Sequence, residues 1–502
     1  MKKQTIKIFF LSMVTSLASL TSIAQNKGEE NPFMDRDYWA AKPSIEDIDA
    51  KIAQGHSITE SNRGGYDPTS FAIFGGNSKA TIAHLLAQGN DVNKRTHDSR
   101  TYIFWAASRG HLDIVEVLLE KGAKTDLTDS HGYTVSQFTA AAGQDNTAVY
   151  EFLIKNGSDL INEKDQDGRS VILIAAPRVK NLDLIDYFIS KGLDINATDN
   201  RGNGIFAYAA QGGNIDVLNA LIDRGVSTKA NAKTKENAIL FASRGGRGSS
   251  NSLEVFKYLE ELGVNPNVTS DQGITPLHNL SRSSKDLKIY DYFIQKGVDP
   301  NAVDHNGNTA LLNACSRNSL DIIKYLGEKS DDINHLNQDG HSALSIAVQN
   351  NSSEVVAYLL SKGADAKLID KNGNSLVYYL LDTRGLPKDF ETKVAALKEK
   401  GVDFTKAQED EKNIWHLAVQ KNNLALLQTV NGLGADINAK DSQGNTPLHY
   451  AALQTDNVEV LQYLLSEGAD VNLTTEFGET PYELASANEL LVAKNADLTF
   501  LK

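Results

Sequence analysis

Thr446-Pro-Leu-His-Tyr-Ala-Ala452, then Val458-Glu-Val-Leu-Gln-Tyr-Leu-Leu-Ser466, then Gly468-Ala-Asp-Val-Asn472 decide the fold. Thr446 is a helix cap, and Pro447 fits the first helical turn, where a missing N–H is tolerated. The Ala451-Ala452 pair keeps one side of that helix small. Val458, Val460, Leu461, Leu464 and Leu465 recur at helical spacing and give a second helix an apolar face. Gly468 stops it, and Ala469-Asp-Val-Asn472 runs extended toward the next segment of chain. The stretch reads as helix, short turn, helix, glycine cap, extended turn.

The unit recurs along the chain. Turns of the Gly-x-Asp type begin at Gly55, Gly89, Gly122, Gly157, Gly192, Gly225, Gly263, Gly297, Ser330, Gly363, Gly401, Gly434 and Gly468, with a degenerate Asn495-Ala-Asp closing the series. Their spacings are 34, 33, 35, 35, 33, 38, 34, 33, 33, 38, 33 and 34 residues. A period near 33 held over such a length is the mark of a stacked-repeat architecture. The first-helix pattern returns in Thr275-Pro-Leu-His278, Thr309-Ala-Leu-Leu312 and Ala106-Ala-Ser-Arg-Gly-His111. These motifs resemble the ankyrin repeat, and the resemblance covers nearly all of the chain beyond residue 24. It implies an all-α solenoid of about 14 stacked helix–turn–helix units with hairpin tips, counted from the turns above. The expected organisation is a signal peptide over 1–24 and a linker with a degenerate capping repeat over 25–62. Ankyrin repeats occupy 63–475, with a C-terminal capping repeat over 476–502. The two spacings of 38 hold insertions, Arg244–Ser252 and Asp382–Asp389, both placed between the helices of a repeat.

Composition bounds the function. The 502 residues are 41% hydrophobic and 23% charged, ordinary for a globular chain. Lys and Arg number 50 against 64 Asp and Glu, a net charge of −14 that argues against nucleic-acid partners. The single cysteine rules out an internal disulfide and Cys-based zinc sites. Lys2 and Lys3 precede an apolar run from Ile8 to Leu20 and small residues up to Ala24. This order predicts a secretory signal cleaved after Ala24. No later apolar run is long enough to span a bilayer. The expectation is a monomeric chain in the periplasm or outside the cell, with no membrane insertion after cleavage.

Motifs for chemistry are few. There is no His-Glu-x-x-His and no Gly-Lys dipeptide, hence no phosphate-binding loop. Gly202-Asn-Gly204-Ile-Phe-Ala207 matches a dinucleotide pattern but opens the first helix of a repeat. Asp165-Gln-Asp167-Gly168 hints at a calcium loop, yet counting from Glu163 puts Ile174 where a bidentate Glu belongs. Asp129, Asp165, Asp199, Asp304, Asp370 and Asp441 all precede a glycine by three, which reads as side-chain capping of the tip turn. The resemblance assigns His278, His416 and His449 to hydrogen bonds that stitch neighbouring repeats. Cys315 and Trp415 read as core. No catalytic residue, metal or cofactor is predicted, and the chain is expected not to be an enzyme.

Ankyrin arrays bind through their tips and the concave side of their first helices, so the resemblance implies a protein–protein interaction scaffold. The two positions after the Ala pair face that side. Arg109, Arg178 and Arg317 share the second of them, and Arg244 and Arg282 the first. With Arg384 one position further on, six of the 14 arginines lie in this window. Cations favour helix C-termini by about 0.3–1 kcal/mol, which is the plain reading of these residues. It would suit lysine as well, yet Lys421 is the only lysine there. The functional reading is a basic stripe inside an acidic chain. The expected partner carries an acidic segment, and the sharpest patch is expected at Arg244, Arg282 and Arg317, exposed and unpaired. A secreted effector acting on a host or competitor cell is the alternative destination. An enzyme or ligand-binding protein with a site on the arc is the remaining reading.

Overall fold

The computed structural model describes residues 31–246 and 250–502. The predicted export segment and residues 247–249 of the first insertion lie outside them. Twenty-eight α-helices form fourteen consecutive pairs among the described residues, from Arg36–Ala40 with Ile45–Ala53 to Pro481–Ala487 with Glu489–Ala493. No strand is formed among them. The tips are turns, with one isolated antiparallel bridge between Thr198 and Gly204.

Local chemistry sets the helix limits. Thr134, Ser342 and Thr480 close reciprocal capping boxes with Gln137, Ser345 and Glu483, satisfying N–H groups that a helix start leaves orphaned. Gly157 ends its second helix at φ +105°, which an L side chain rarely adopts. Glycine also allows close approach: a Cβ on Gly212 would lie 2.3 Å from the Pro177 carbonyl oxygen. The paired alanines do the same work inside repeats, and Ala106, Ala107, Ala451 and Ala452 are all buried.

Within each compact unit first helices pack on the first helix of a sequence neighbour and commonly on their own second helix, as in Tyr102–Ser108 against Val135–Ala141 and Leu112–Glu120. The tips are linked by backbone bonds such as Ser130 N–H to Asp98 O, 2.9 Å, and Gln338 N–H to Asn306 O, 2.8 Å. Both inserted segments fall between the helices of a repeat: Ala238–Arg244 precedes the first and Leu253–Glu261 comes after it, and Leu376–Leu381 and Phe390–Glu399 flank the second.

The chain divides into two compact units. One runs to Ala175 and takes in Ser190–Gly192; the other holds Ala176–Ile189 and Leu193–Lys502. The first has a continuous core from Phe33 and Trp39 through Phe104 and Leu118 to Leu153. The second is built on rows of buried residues such as Ile239, Leu277, Leu311, Leu344, Val377 and Leu448.

Candidate partner-binding face

Groups suited to chemistry serve the repeat itself. The six predicted tip aspartates cap their turns. Asp441 Oδ1 accepts from the N–H groups of Gln443 and Asn445 at 2.9 and 2.8 Å, and Asp129, Asp165, Asp199, Asp304 and Asp370 do the same. Burial alone would raise the Asp199, Asp370 and Asp441 carboxyls. Hydrogen bonds from Asn203, Asn374 and Asn445 and from the Tyr208, Tyr379 and Tyr450 hydroxyls outweigh it and hold them below the usual range. Glu163 of the suspected calcium loop accepts from Thr134 Oγ1 of the preceding repeat at 2.6 Å. No group of His, Cys, Asp or Glu among the described residues is placed to hold a metal ion.

The histidines behave as stitches. His278 Nε2 lies 3.0 Å from the Asn308 carbonyl of the next repeat, and His416 Nε2 lies 3.0 Å from that of Asn445. His449 keeps the local half, its Nδ1 accepting from Thr446 N–H at 3.0 Å, while its Nε2 makes no hydrogen bond. Cys315 is fully buried and Trp415 nearly so. The glycine-rich Gly202–Ala207 segment forms one wall of a cavity of about 330 Å³, shared with Thr198, Asn231 and Glu236. The Ile205–Gly212 helix that opens there comes after a turn, so the strand–glycine–helix context of a dinucleotide site is missing.

The five predicted binding arginines occupy one place in the repeat, the C-terminal end of the first helix. Arg109 caps Tyr102–Ser108, Arg244 ends Ala238–Arg244, and Arg178, Arg282 and Arg317 come just after theirs. Their surroundings differ. Arg178, Arg282 and Arg317 are exposed, and no ion pair holds them among the described residues. Arg244 departs from expectation. It pairs with Glu236, a carboxylate only 5% exposed, and its guanidinium lies 4.1 Å from the Phe241 ring centroid. Glu236 also receives Asn203 Nδ2 at 3.0 Å and Arg201 Nε at 3.4 Å. A buried carboxylate draws the nearest cations, so Arg244 is engaged inside its own repeat. Arg109 lies 4.2 Å over the Phe74 ring with no acid beside it.

The position just before the Ala pair was not singled out from the sequence. There Phe71, Trp105 and Phe138 form an aromatic row in the first unit, with Trp105 and Phe138 edge to face at 5.5 Å. Further on the same slot holds Tyr208, Tyr379 and Tyr450, whose hydroxyls reach the tip aspartates at 2.7, 2.5 and 2.8 Å. The signal was present as a run of large residues at one phase of the period.

Overlapping stretches from residue 44 to residue 370 match the family model described as ankyrin repeats in three copies, and 429–485 match that described as ankyrin repeats in many copies. Among curated proteins, neurogenic locus notch homolog protein 1 of Homo sapiens is 26% identical over 164 residues, 32% of this chain and 6% of that protein. Ankyrin repeat domain-containing protein 63 of Mus musculus is 31% identical over 134 residues, 26% of this chain and 32% of that protein. This chain therefore spans a minor part of the curated relatives it matches. The crystal structure of the human ASB11 ankyrin repeat domain is 23% identical, covering 45% of this chain and 99% of that one with a TM-score of 0.38.

Proposed function

This chain belongs to the ankyrin-repeat family, and on that premise we propose that it is a non-enzymatic scaffold which binds an acidic partner protein on its first-helix ends and tips. The observation that carries the reading is the pair Arg282 and Arg317: two exposed guanidiniums just beyond the first helices of consecutive repeats, one position apart in register, with no acid paired to either among the described residues although the chain is acid-rich. Arg178 shares the place of Arg317 in its own repeat. Guanidinium suits the role because it grips carboxylates with two parallel bonds and sheds water more readily than ammonium. Exposed pairs contribute only about 0.2–1 kcal/mol each, so the stripe sets partner choice and association rate more than affinity. The scaffold acts outside the cytoplasm, as a monomer in the bacterial periplasm or secreted. The basic, apolar, small-residue order ending at Ala24 supports this.

Affinity capture with the exported chain tests the reading. A bound protein that is released by salt and lost on Arg178→Ala/Arg282→Ala/Arg317→Ala is the expected result. A partner held equally by both chains at low and high salt would sink the stripe. For export, mass spectrometry of the exported protein should find Gln25, or its cyclised form, at the N-terminus; intact Met1 would refute cleavage.

A further inference from the structure

Arginines that sit on aromatic rings in this protein have a recurrent third member. Arg100 lies 4.1 Å from the Phe138 ring centroid and 5.3 Å from that of Trp105, and it pairs with Asp129 at 2.8 Å and Asp98 at 2.9 Å. Arg169 lies over Tyr133 and pairs with Asp165 at 2.7 Å. Arg244 lies over Phe241 and pairs with Glu236. Ring, guanidinium and carboxylate form a complete set each time. The ring holds one face of the cation, and the carboxylate takes the N–H donors at its edge.

Two arginines break the pattern together. Arg36, at the start of the Arg36–Ala40 helix, lies 5.6 Å from the Phe71 ring centroid, and Arg109 lies 4.2 Å from that of Phe74. The two rings belong to one helix, Pro68–Phe74, with centroids 6.1 Å apart. Tyr66 packs against both rings, at 6.0 and 5.5 Å, and Trp105 meets Phe74 edge to face at 5.3 Å. Neither guanidinium has a carboxylate partner among the described residues. Two acids beside the rings are committed elsewhere: Asp98 to Arg100, and Asp67, fully buried, to Lys94 at 2.8 Å and the Tyr102 hydroxyl at 2.5 Å. Burial first, and then Arg36, hold the Arg109 guanidinium below its usual range despite Tyr66. His111 is likewise depressed by burial, with Arg109 and Lys42 adding to it and Asp113 the opposing acid.

We infer that Arg36 and Arg109, over the Phe71–Phe74–Tyr66–Trp105 floor, form a clamp whose missing carboxylates come from an extended acidic segment of a partner protein. The inference rests on the scaffold reading and gives it a site in the first unit distinct from Arg282 and Arg317. Two side-chain carboxylates on one extended segment complete the two unfinished sets, and an aliphatic or aromatic side chain between them lies on the exposed parts of Tyr66 and Phe74. Charge complementarity selects the occupant, since the site offers two cations that no carboxylate pairs among the described residues.

A fluorescein-labelled oligoglutamate peptide, titrated against the full exported chain and monitored by anisotropy, tests the clamp. Binding is expected, weakening with salt and about tenfold weaker for Arg36→Gln/Arg109→Gln. The Lys288→Gln/Lys367→Gln chain, with the same loss of charge, should bind like the wild type. Phenylglyoxal labelling of the unaltered chain gives a reading independent of variant folding: oligoglutamate should shield Arg36 and Arg109, and oligoglutamine should not. Unchanged affinity in Arg36→Gln/Arg109→Gln, or unshielded arginines, overturns the clamp. If binding survives that change and is lost instead in Arg282→Gln/Arg317→Gln, the clamp falls while the scaffold reading stands. No binding to the wild type removes the acidic occupant from both. An oligonucleotide of equal charge that displaces the peptide equally well overturns the peptide segment as the occupant.

Discussion

His278 and His416 show how one residue joins two repeats and what that implies for pH. Each ring is buried, with Nε2 bound to a carbonyl about thirty residues on. Burial, the largest influence, holds the His278, His416 and His449 imidazoles below their usual value, although the carbonyls near His278 and His416 pull the other way. A histidine whose folded pKa is depressed binds fewer protons folded than unfolded, so stability rises with pH between the two values. The contribution is complete above the unfolded value of about 6.5 and is lost as pH falls toward the depressed folded value. The urea midpoint should be level from about pH 7.5 upward and decline below about 6.5, before the tip aspartates titrate. His278→Gln/His416→Gln should flatten that decline; an unchanged slope would sink the assignment. Cys315 offers a second residue-level check. Burial pushes its thiol up, so a thiol reagent should label it only when its repeat opens. The slot of each histidine and of Cys315 was legible in the sequence because it recurs with the period. The partner of Arg244 was not, because Glu236 lies in the preceding tip and only the folded turn brings it under the helix end.

At the scale of elements, second helices are tied back to the preceding repeat by an amide. Asn318 Nδ2 donates to Ser281 O at 2.8 Å and Ser284 O at 3.0 Å, and Asn77, Asn251, Asn351 and Asn488 make equivalent bonds. Ser281 caps the Pro276–Leu280 helix, and its carbonyl has no partner within it, whereas Ser284 O also receives the Tyr290 hydroxyl at 3.1 Å. Asn318→Ala should therefore cost about 1–3 kcal/mol, the penalty for orphaning the Ser281 carbonyl, and urea denaturation will measure it. A loss below about 0.5 kcal/mol would mean that water replaces the amide. The insertion at Asp382–Asp389 displaces this asparagine. The buried Lys393 amine takes over, donating to Val348 O at 2.9 Å, and burial depresses its pKa. Limited proteolysis should cut that insertion before the helices around it, at the turn where Leu386 is 56% exposed. First cuts within the helices would contradict this. The period of the turns and the apolar spacing made the helix pairs, their glycine ends and the site of both insertions readable. Lys393 was not readable, since a lysine on an otherwise amphipathic helix looks like a solvated residue until its neighbour leaves a carbonyl bare.

For the whole molecule, stability is close to a sum over repeats and their nearest interfaces, because the helices of a repeat pack mainly on those of its sequence neighbours, the tip pair Arg201–Asp271 reaching one repeat further. Such a sum gives one cooperative transition only if no interface is much weaker than the rest. The chain already divides into two compact units, the division falling within the repeat of Val171–Ala175 and Asp183–Ser190. The two cores differ in character. The first concentrates aromatic pairs, with Phe33 stacked on Trp39 at 5.8 Å and Phe74 edge to face with Trp105 at 5.3 Å, while the second carries the insertion at Asp382–Asp389. Aromatic pairs add about 0.5–1.5 kcal/mol beyond burial, whereas an interrupted repeat loses neighbour contacts. The second unit should open at lower denaturant than the first. Hydrogen exchange at increasing urea, on the unaltered chain, should show peptides from Gly363 to Gly434 losing protection while peptides from Phe71 to Leu118 retain it. Cys315 labelling, a probe within the second unit, should rise with the former and not the latter. If every peptide and the thiol lose protection at one urea concentration, the interfaces are even in strength and unfolding is all-or-none.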